Sequence, residues 1–413
     1  MAPYYEDNFM RKTKIYSILA AFIFLQGICF ADAGFTGMAG GSSGFAGRFE
    51  QDDVDFTIPF NAFAAVQLNF GSWGIFRANL GLASKNLAEG NLFKGQDATL
   101  QMNECSLTLV KSKDNIKNYF GLYLGTYEVV GKDEYLQRHF GIEPVASILT
   151  KSATTLAGGV PLYNNEGAGF SYTMHFADAP GTIGCNLYFN TLHDAVLKFN
   201  VDLRTAWVTN HFIIDFAGGI GTPIKHDSSA YVLIDTIYLH GGVSMLFGNA
   251  HTSSFFIQGG IQNISLTSGN DNIDFDAGKD IFILAEPRIN GKKVQVRFTG
   301  FSIPEELIHD FLYIDDTLGV ALSIYSDMIS LKTSNLTLGA HIIGALEGEN
   351  FMTLLEKDEF TPDNTKINTY VTPFIDLPVA NGTLEIMAQI GVCNILNSIY
   401  FKGKAKIGYR RAF

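Results

Sequence analysis

Charge is scarce in this chain. Only 17% of its 413 residues are Asp, Glu, Lys or Arg, against roughly 25% in ordinary soluble domains. The balance is acidic, −12 overall. Removing residues 1–33 takes away Arg11, Lys12 and Lys14 together with Glu6, Asp7 and Asp32, so the remainder is still −12. A nucleic acid wants a basic surface, and this excludes it as a partner. Cysteine is also rare. Beyond Cys29, the chain holds Cys105, Cys185 and Cys393. They are odd in number, widely separated and without metal-ligand spacing, so they form no disulfide framework. After residue 33 no clean apolar run reaches the ~20 residues that a spanning helix needs. The nearest, Tyr231 to Phe247, is broken by Asp235, His240 and Gly241-Gly242. Catalytic motifs are missing too. There is no Gly-x-Ser-x-Gly and no phosphate-binding Gly loop, and none of the nine His has metal-binding spacing. His175 and His240 read as polar interior groups. The expectation is a protein that is not an enzyme and carries no cofactor.

Aromatics, by contrast, reach 13%, with 34 Phe, and Gly numbers 42. Many aromatics, much Gly and little charge suit strands with one face in lipid and frequent turns. The N-terminus points to export. Met10-Arg11-Lys12-Thr13-Lys14 is a short basic segment, Ile15 to Phe30 is an apolar run, and Ala31-Asp32-Ala33 is a small-x-small cleavage pattern. We therefore expect a signal peptide over 1–33, cleaved after Ala33, with Met10 as the better start. Residues 34–53, rich in Gly and ending Glu50-Gln51-Asp52-Asp53, read as a tail or a small plug.

Period-two alternation dominates the rest. From Leu197 to Trp207, the odd positions are Leu197, Phe199, Val201, Leu203, Thr205 and Trp207. The even ones are Lys198, Asn200, Asp202, Arg204 and Ala206. Successive side chains of a strand point to opposite faces, so one face is apolar and the other charged. The same pattern recurs at Phe76–Leu82, Phe170–Phe176, Ile183–Asn190, Phe212–Phe216, Val294–Phe298 and Leu384–Val392. Turn formers separate the runs: Lys113-Asp114-Asn115, Asp178-Ala179-Pro180-Gly181, Gly248-Asn249, Asn290-Gly291 and Asn381-Gly382. Asn290-Gly291 and Asn381-Gly382 are the two-residue hairpin candidates. Longer polar connections fall near 84–96, 130–140, 222–229, 268–280 and 347–366, and Pro304 to Asp310 reads as a short helix. Lipid cannot satisfy an open sheet edge. The expected fold is therefore all-β: a transmembrane antiparallel barrel over 54–413 with about 16 strands, range 14–18. Strand counting is weakest near 141–165, 230–247 and 300–315.

The last strand alternates to the final residue. Ile399, Phe401, Ala405, Ile407, Tyr409 and Phe413 lie on one face, and Tyr400, Lys402, Lys404, Lys406 and Arg410 on the other. This resembles the closing strand of bacterial outer-membrane β-barrel proteins of porin-like kind. Gly408, Tyr409 and Phe413 match that pattern, and Arg411 departs from it, an apolar residue being usual there. The resemblance implies residence in the outer membrane of a diderm bacterium, contact with its lipid, and recognition of the strand by the barrel-assembly machinery.

A barrel of this size suggests a diffusion channel for small polar solutes. Its pore-lining candidates are Arg77, Lys198, Asp202, Arg204, Asp215, Arg297, Glu385, Lys402, Lys404 and Lys406. Most are basic, so we expect basic strips inside an acidic protein; pairing of these charges across strands is the competing reading. A transporter of apolar ligands such as long-chain fatty acids, or a surface adhesin, stand as alternatives. The transporter family's Asn-Pro-Ala step is not found. Oligomeric state is open. Asp274, Asp276 and Asp280 faintly resemble a calcium loop but lack its distal Glu, and a solvated hairpin loop is the default.

Overall fold

The computed structural model describes residues 33–50, 53–87, 98–191, 197–226, 232–233, 236–249, 252–267, 273, 275–276, 280–331, 334–356 and 365–413. All of the expected signal peptide except Ala33 lies outside them.

Eighteen strands close into one antiparallel ring. In chain order they are β1 (Ala33–Glu50), β2 (Phe60–Phe70), β3 (Gly74–Ser84), β4 (Ala98–Lys113), β5 (Ile116–Gly125) and β6 (Gly167–Phe176). Then follow β7 (Gly181–Thr191), β8 (Leu197–Val208), β9 (Phe212–Pro223), β10 (Thr236–Gly248), β11 (Ser253–Thr267) and β12 (Ile281–Asn290). The last six are β13 (Gln295–Ser302), β14 (Leu318–Leu331), β15 (Ser334–Leu346), β16 (Ile367–Val379), β17 (Gly382–Cys393) and β18 (Tyr400–Ala412). Each pairs with its neighbours in sequence. β1 closes the ring by pairing with β2 from Ala33↔Phe70 to Ser43↔Phe60 and with β18 from Met38↔Ala412 to Phe49↔Phe401. The strand count sits at the top of the expected range.

One expectation is corrected here. Residues 34–50 are neither tail nor plug but most of β1. Their alternation is faint because Gly37, Ala39, Gly41, Ser43 and Gly47 share the outer face with Phe35, Phe45 and Phe49. Small residues on both faces leave little contrast to read.

The two ends of the barrel differ. Connections at 71–73, 114–115, 177–180, 209–211, 291–294 and 380–381 are short and lie at one end, where β1 begins and β18 finishes. The connections of the other end include 85–97, 126–166, 224–235, 268–280, 303–317 and 347–366. Outer-membrane barrels show this division. The hairpin between β16 and β17 has Ala380 at φ 49° and Asn381 at φ 62°, the left-handed pair of a type I′ turn. The turn therefore sits one residue before the expected Asn381-Gly382. Asn290-Gly291 opens a four-residue connection instead, closed by Gly291 N–H donating to Val294 O at 2.9 Å.

The outer face is apolar and open. Leu203, Phe298 and Ile390 are 64%, 51% and 66% exposed, an apolar surface of the kind that marks a membrane or partner contact. Aromatic pairs mark both rims. Phe35–Phe413, Phe70–Trp73 and Phe212–Phe247 lie at the short-turn end, and Phe45–Phe56 and Phe189–Phe199 at the other, all with ring centres 5.1–5.8 Å apart.

The inside is not a uniform polar tube. Residues 126–166, between β5 and β6, fold inward, and so do residues 303–317, between β13 and β14. Val130, Leu149, Leu156, Leu162, Ile303 and Tyr313 of these inserts are almost wholly buried. They pack on inward side chains of β10–β17, among them Phe256, Phe282, Leu284, Phe301, Ile343 and Phe374. The inserts also bind each other. Leu312 N–H donates to Lys151 O and Ala153 N–H to Asp310 O, both at 2.8 Å. The first insert carries helix α1 (Glu134–Phe140), ended by Gly141 at φ 67°. The second carries a 3-10 turn over Glu305–Asp310, opened by Pro304. The exposed polar loop expected at 130–140 is thus buried, and 141–165 contributes no ring strand.

Two stability predictions follow from closure and turn geometry. Ala380 occupies a left-handed conformation that costs a side-chain-bearing residue roughly 1–2 kcal/mol and that Asn tolerates better. Ala380→Asn is expected to raise the urea midpoint of refolded barrel in detergent by the equivalent of about 0.5–1 kcal/mol; a lower midpoint would contradict the turn. Phe413 stacks on Phe35 with ring centres 5.7 Å apart. Phe413→Ala and Phe35→Ala should each destabilise the barrel by about 1 kcal/mol, and the double variant by clearly less than the sum. Strict additivity would show that the pair does not couple the ends of the ring.

Candidate functional site

The wall charges singled out from the sequence all sit on strands, most of them inward and under the inserts. Arg204 of β8 meets Asp215 of β9 through two bonds, Nε–Oδ1 at 3.0 Å and Nη2–Oδ2 at 2.7 Å. Its guanidinium carbon lies 3.9 Å from the centre of the Tyr135 ring, and its Nη1 donates to Glu128 O. Arginine suits this place because one planar group can fork to a carboxylate and stack on an aromatic face. Asp202, two residues earlier and so on the same face, accepts from Tyr163 at 2.8 Å and Tyr188 at 3.2 Å and pairs with His240 at 2.7 Å. Lys198 Nζ lies 5.3 Å from the Tyr238 ring centre.

Across the lumen, Lys151 of the first insert holds Glu385 at 2.6 Å, and Arg410 holds the same carboxylate at 2.9 Å. Arg297 is 3.7 Å from Glu286, which also accepts from Thr299 and Ser147. Arg77 donates to Gln67 at 2.8 Å. Lys404 pairs with Asp315 of the second insert at 2.9 Å, Lys406 donates to Ala153 O, and Lys402 lies 5.8 Å from the Tyr400 ring centre. The sequence marked these side chains one strand at a time. The fold makes Asp202, Arg204, Glu385, Lys404 and Lys406 the wall's hold on the two inserts.

The inserts answer with charges of their own. Burial works against ionisation of Glu128, but His139, Arg138 and Arg77 overcome it and hold its carboxyl at about 2. Burial pushes Asp133 up to about 6, although the Ala146 and Val145 amides favour its charged form. Arg138 bonds Glu104 of β4 at 2.7 Å. Removing one partner of such a buried pair leaves an uncompensated charge, so these contacts fix position more than they add net stability. Close approach needs glycine at two places on the wall. A Cβ on Gly242 or Gly260 would come within about 3 Å of Leu162. The doublets Gly241-Gly242 and Gly259-Gly260 were thus a signal for an insert that period-two reading passes over. The second signal is the absence of period-two alternation over 142–163.

The inserts leave part of the lumen open. A cavity of about 590 Å³ lies between β18, β1, β2, β3 and β4 on one side and the inserts on the other. Asn61, Gln101, Lys404 and Lys406 lie on its wall side, and Thr154, Asp310 and Asp315 on its insert side. A small adjoining cavity reaches Phe63, Gly81, Asn103 and Thr155. Among the candidates, Lys404 and Lys406 face this space. Lys198, Asp202, Arg204, Asp215, Arg297 and Glu385 do not line it.

Three further candidates lead elsewhere. Asp274 of the calcium triplet lies outside the described residues; Asp280 closes a turn by accepting from Asp276 N–H at 2.7 Å. Ser323 and His341 stand 2.7 Å apart, but the imidazole is wholly buried between Tyr313 and Phe374. Gly408, Tyr409 and Phe413 sit at the ring closure. Phe413 exchanges two backbone bonds with Gly37 at 2.7 and 2.8 Å, and the Tyr409 hydroxyl donates to Ala380 O at 3.0 Å.

No protein-family profile matches the chain, and no curated protein does. Its fold is nevertheless shared. OccAB3 of Acinetobacter baumannii superposes with a TM-score of 0.53 at 9% identity, covering 93% of this chain and 100% of the other. A BenF-like porin from Pseudomonas fluorescens gives 0.53 at 8%, covering 92% and 99%. The outer membrane protein OpdK from Pseudomonas aeruginosa gives 0.51 at 8%, covering 92% and 99%. At such identity the likeness is one of fold: a closed antiparallel barrel of the outer-membrane porin type.

Proposed function

We propose that this chain is a porin-like diffusion channel for small polar solutes in the outer membrane of a diderm bacterium. It is exported on a signal peptide cleaved after Ala33, and the barrel-assembly machinery reads Gly408, Tyr409 and Phe413. The observation that carries the channel reading is the cavity of about 590 Å³ beside the inserts, with Asn61, Gln101, Lys404 and Lys406 on its wall. It lies inside a barrel whose outer face is fit only for lipid. The inserts narrow the bore to one side, so solutes pass along β18 and β1–β4 and not through the barrel axis. Lys404 and Lys406 stand on that route and give it a modest preference for anions, because a fixed charge in a narrow polar space biases which ions enter. Conductance of refolded residues 34–413 in a planar bilayer tests the reading. Stepwise openings are expected. Silence from a barrel that still migrates heat-modifiably in gels would favour the adhesin or the apolar-ligand transporter.

Two variants sharpen this. Lys404→Glu with Lys406→Glu is expected to move the reversal potential in a salt gradient toward cation preference; an unchanged potential would show that ions do not pass beside β18. Lys151→Met breaks the insert's grip on Glu385 and leaves that carboxylate to Arg410 alone. We expect larger and noisier single-channel currents from it, and currents indistinguishable from wild type would mean that the inserts do not set the bore.

A further inference from the structure

We infer that a notch in the barrel wall, above the ends of β5 and β6, binds an amphiphile from the outer leaflet of the membrane, one with an uncharged hydrogen-bonding head and an apolar chain. The inference rests on the membrane residence proposed above and not on conduction.

The notch is the counterpart of the first insert. β5 leaves the wall at Gly125, whose φ of 93° turns the chain inward. A Cβ there would press on Asn103 O, and the next residue, Thr126, is tied to that same oxygen by its N–H and its hydroxyl, both at 2.7 Å. β6 returns at Gly167, where a Cβ would overlap Phe189 O. Residues 126–166 therefore lie in the lumen and add nothing to the wall. β4 runs on. It pairs with β3 back to Ala98 but with β5 only from Glu104, so residues 98–103 have no strand on the β5 side among the described residues. Six residues make about 20 Å of strand. On the far flank stand the ends of β7 and β8, Thr191 and Leu197. The second insert opens no such gap. It leaves at Ser302 and returns at Leu318, and β12 and β15 stop within two residues of that level.

The space above Gly125 and Gly167 measures about 710 Å³, well inside the range of small-molecule sites. Its two edges differ in chemistry. Leu100, Met102, Leu124, Phe189 and Leu197 stand on the outer edge, and Gln101, Asn103, Thr126, Asn164 and Asn190 on the inner one. Glu166 is the one charged residue of the lining. Leu100 is 72% exposed and lies four residues above the level where β5 ends. The apolar outer face thus continues beside the notch, at the long-connection end that faces away from the cell in such barrels.

Two costs select the occupant. Along residues 98–102 the β4 edge presents backbone groups without a ladder partner, and hydrocarbon cannot satisfy them. Water would satisfy them but would leave Leu100, Met102 and Leu197 wetted. A molecule with hydroxyls or an amide at one end and a chain at the other meets both demands. The carboxamides of Gln101, Asn103 and Asn164 offer its head donors and acceptors without charge. An anionic head would find no cation here and would meet the Glu166 carboxylate.

The test places one tryptophan at a time in refolded residues 34–413, in vesicles of unbrominated phosphatidylcholine and on a Trp73→Phe, Trp207→Phe background. Asn103→Trp reports on the notch, Asn61→Trp on the inner face of β2 away from it, and Leu122→Trp on the open outer face of β5. The quenching probe is a monoacylglycerol with bromine on its chain, and its anionic counterpart is the brominated fatty acid at pH 9. The monoacylglycerol should quench Asn103→Trp at least half as strongly as Leu122→Trp, saturating as its mole fraction rises, and should barely touch Asn61→Trp. The fatty-acid anion should quench Asn103→Trp at least threefold less, each measured against Leu122→Trp. Adding Gln101→Met should raise the half-saturating mole fraction about threefold to tenfold, the effect of one lost hydrogen bond. Heat-modifiable migration confirms that each variant has folded. Quenching of Asn103→Trp no greater than that of Asn61→Trp, a signal that rises without saturating, or equal quenching by the two probes would overturn the inference. None of these readouts depends on conductance, so a saturable signal from a barrel that does not conduct would overturn the channel reading and leave the notch standing.

Discussion

Each of the eighteen ring strands is paired with a neighbour on both sides, and the rest of the structure depends on that. Lipid offers no hydrogen bonds, so an open edge costs several kcal/mol per unsatisfied group. β1 meets this constraint by joining both β2 and β18. Its small residues let it: a Cβ on Gly37 would overlap the Phe413 ring and press on Ala65 O. The closing strand therefore packs flat over the opening one, and the Phe35–Phe413 stack sits at the rim where both begin and end.

Closure makes a second problem. Eighteen strands enclose more space than their own inward side chains fill. Residues 126–166 and 303–317 take up much of it, and their seat is half oil, half salt. Along β10–β16 the wall is largely apolar, with Glu286, Arg288 and Arg297 as a buried charged patch, and the inserts pack as in a soluble core. Along β8, β9, β17 and β18 it is charged, and the inserts are pinned by Asp202, Arg204, Glu385 and the lysines. The apolar contacts supply most of the stabilisation, since buried ion pairs roughly break even. The ion pairs supply register, because a forked Arg204–Asp215 pair or a Tyr163–Asp202 bond tolerates little sliding.

The barrel was legible in the sequence wherever the outer face is apolar and the inner charged, as on β8. There the contrast between Leu203 and Arg204 is extreme. It was illegible where small residues blunt the contrast, as on β1. It was also illegible where both faces are apolar. On β12 the outward Ile283 and Ile289 and the inward Phe282 and Leu284 look alike, although one pair lies on the outer face and the other meets the inserts. Ala380-Asn381 was missed by one residue because Asn381-Gly382 is the stronger turn dipeptide on composition, while the ladder register from Val379 to Gly382 selects the earlier pair. The candidate charges were found as residues and misjudged as a group. Alternation tells which way a side chain points, but not what a distant segment brings to meet it.

The placement of the open passage follows from the same division. An insert adheres where the wall gives it apolar contact or a charge to answer, and β2 and β3 give it little of either. Their inward positions carry Asn61, Ala65, Gln67, Asn69, Asn79, Gly81 and Ala83, with Phe63, Ile75 and Arg77 as exceptions. Amides and small residues bind water nearly as well as they bind protein, so packing against them gains little. The inserts therefore settle mainly on the opposite wall, and the space left beside β2 and β3 is lined by amides and small residues together with Lys404 and Lys406 of β18. Where the open space lies and what holds the inserts in place are in this way two consequences of one distribution of side chains around the ring.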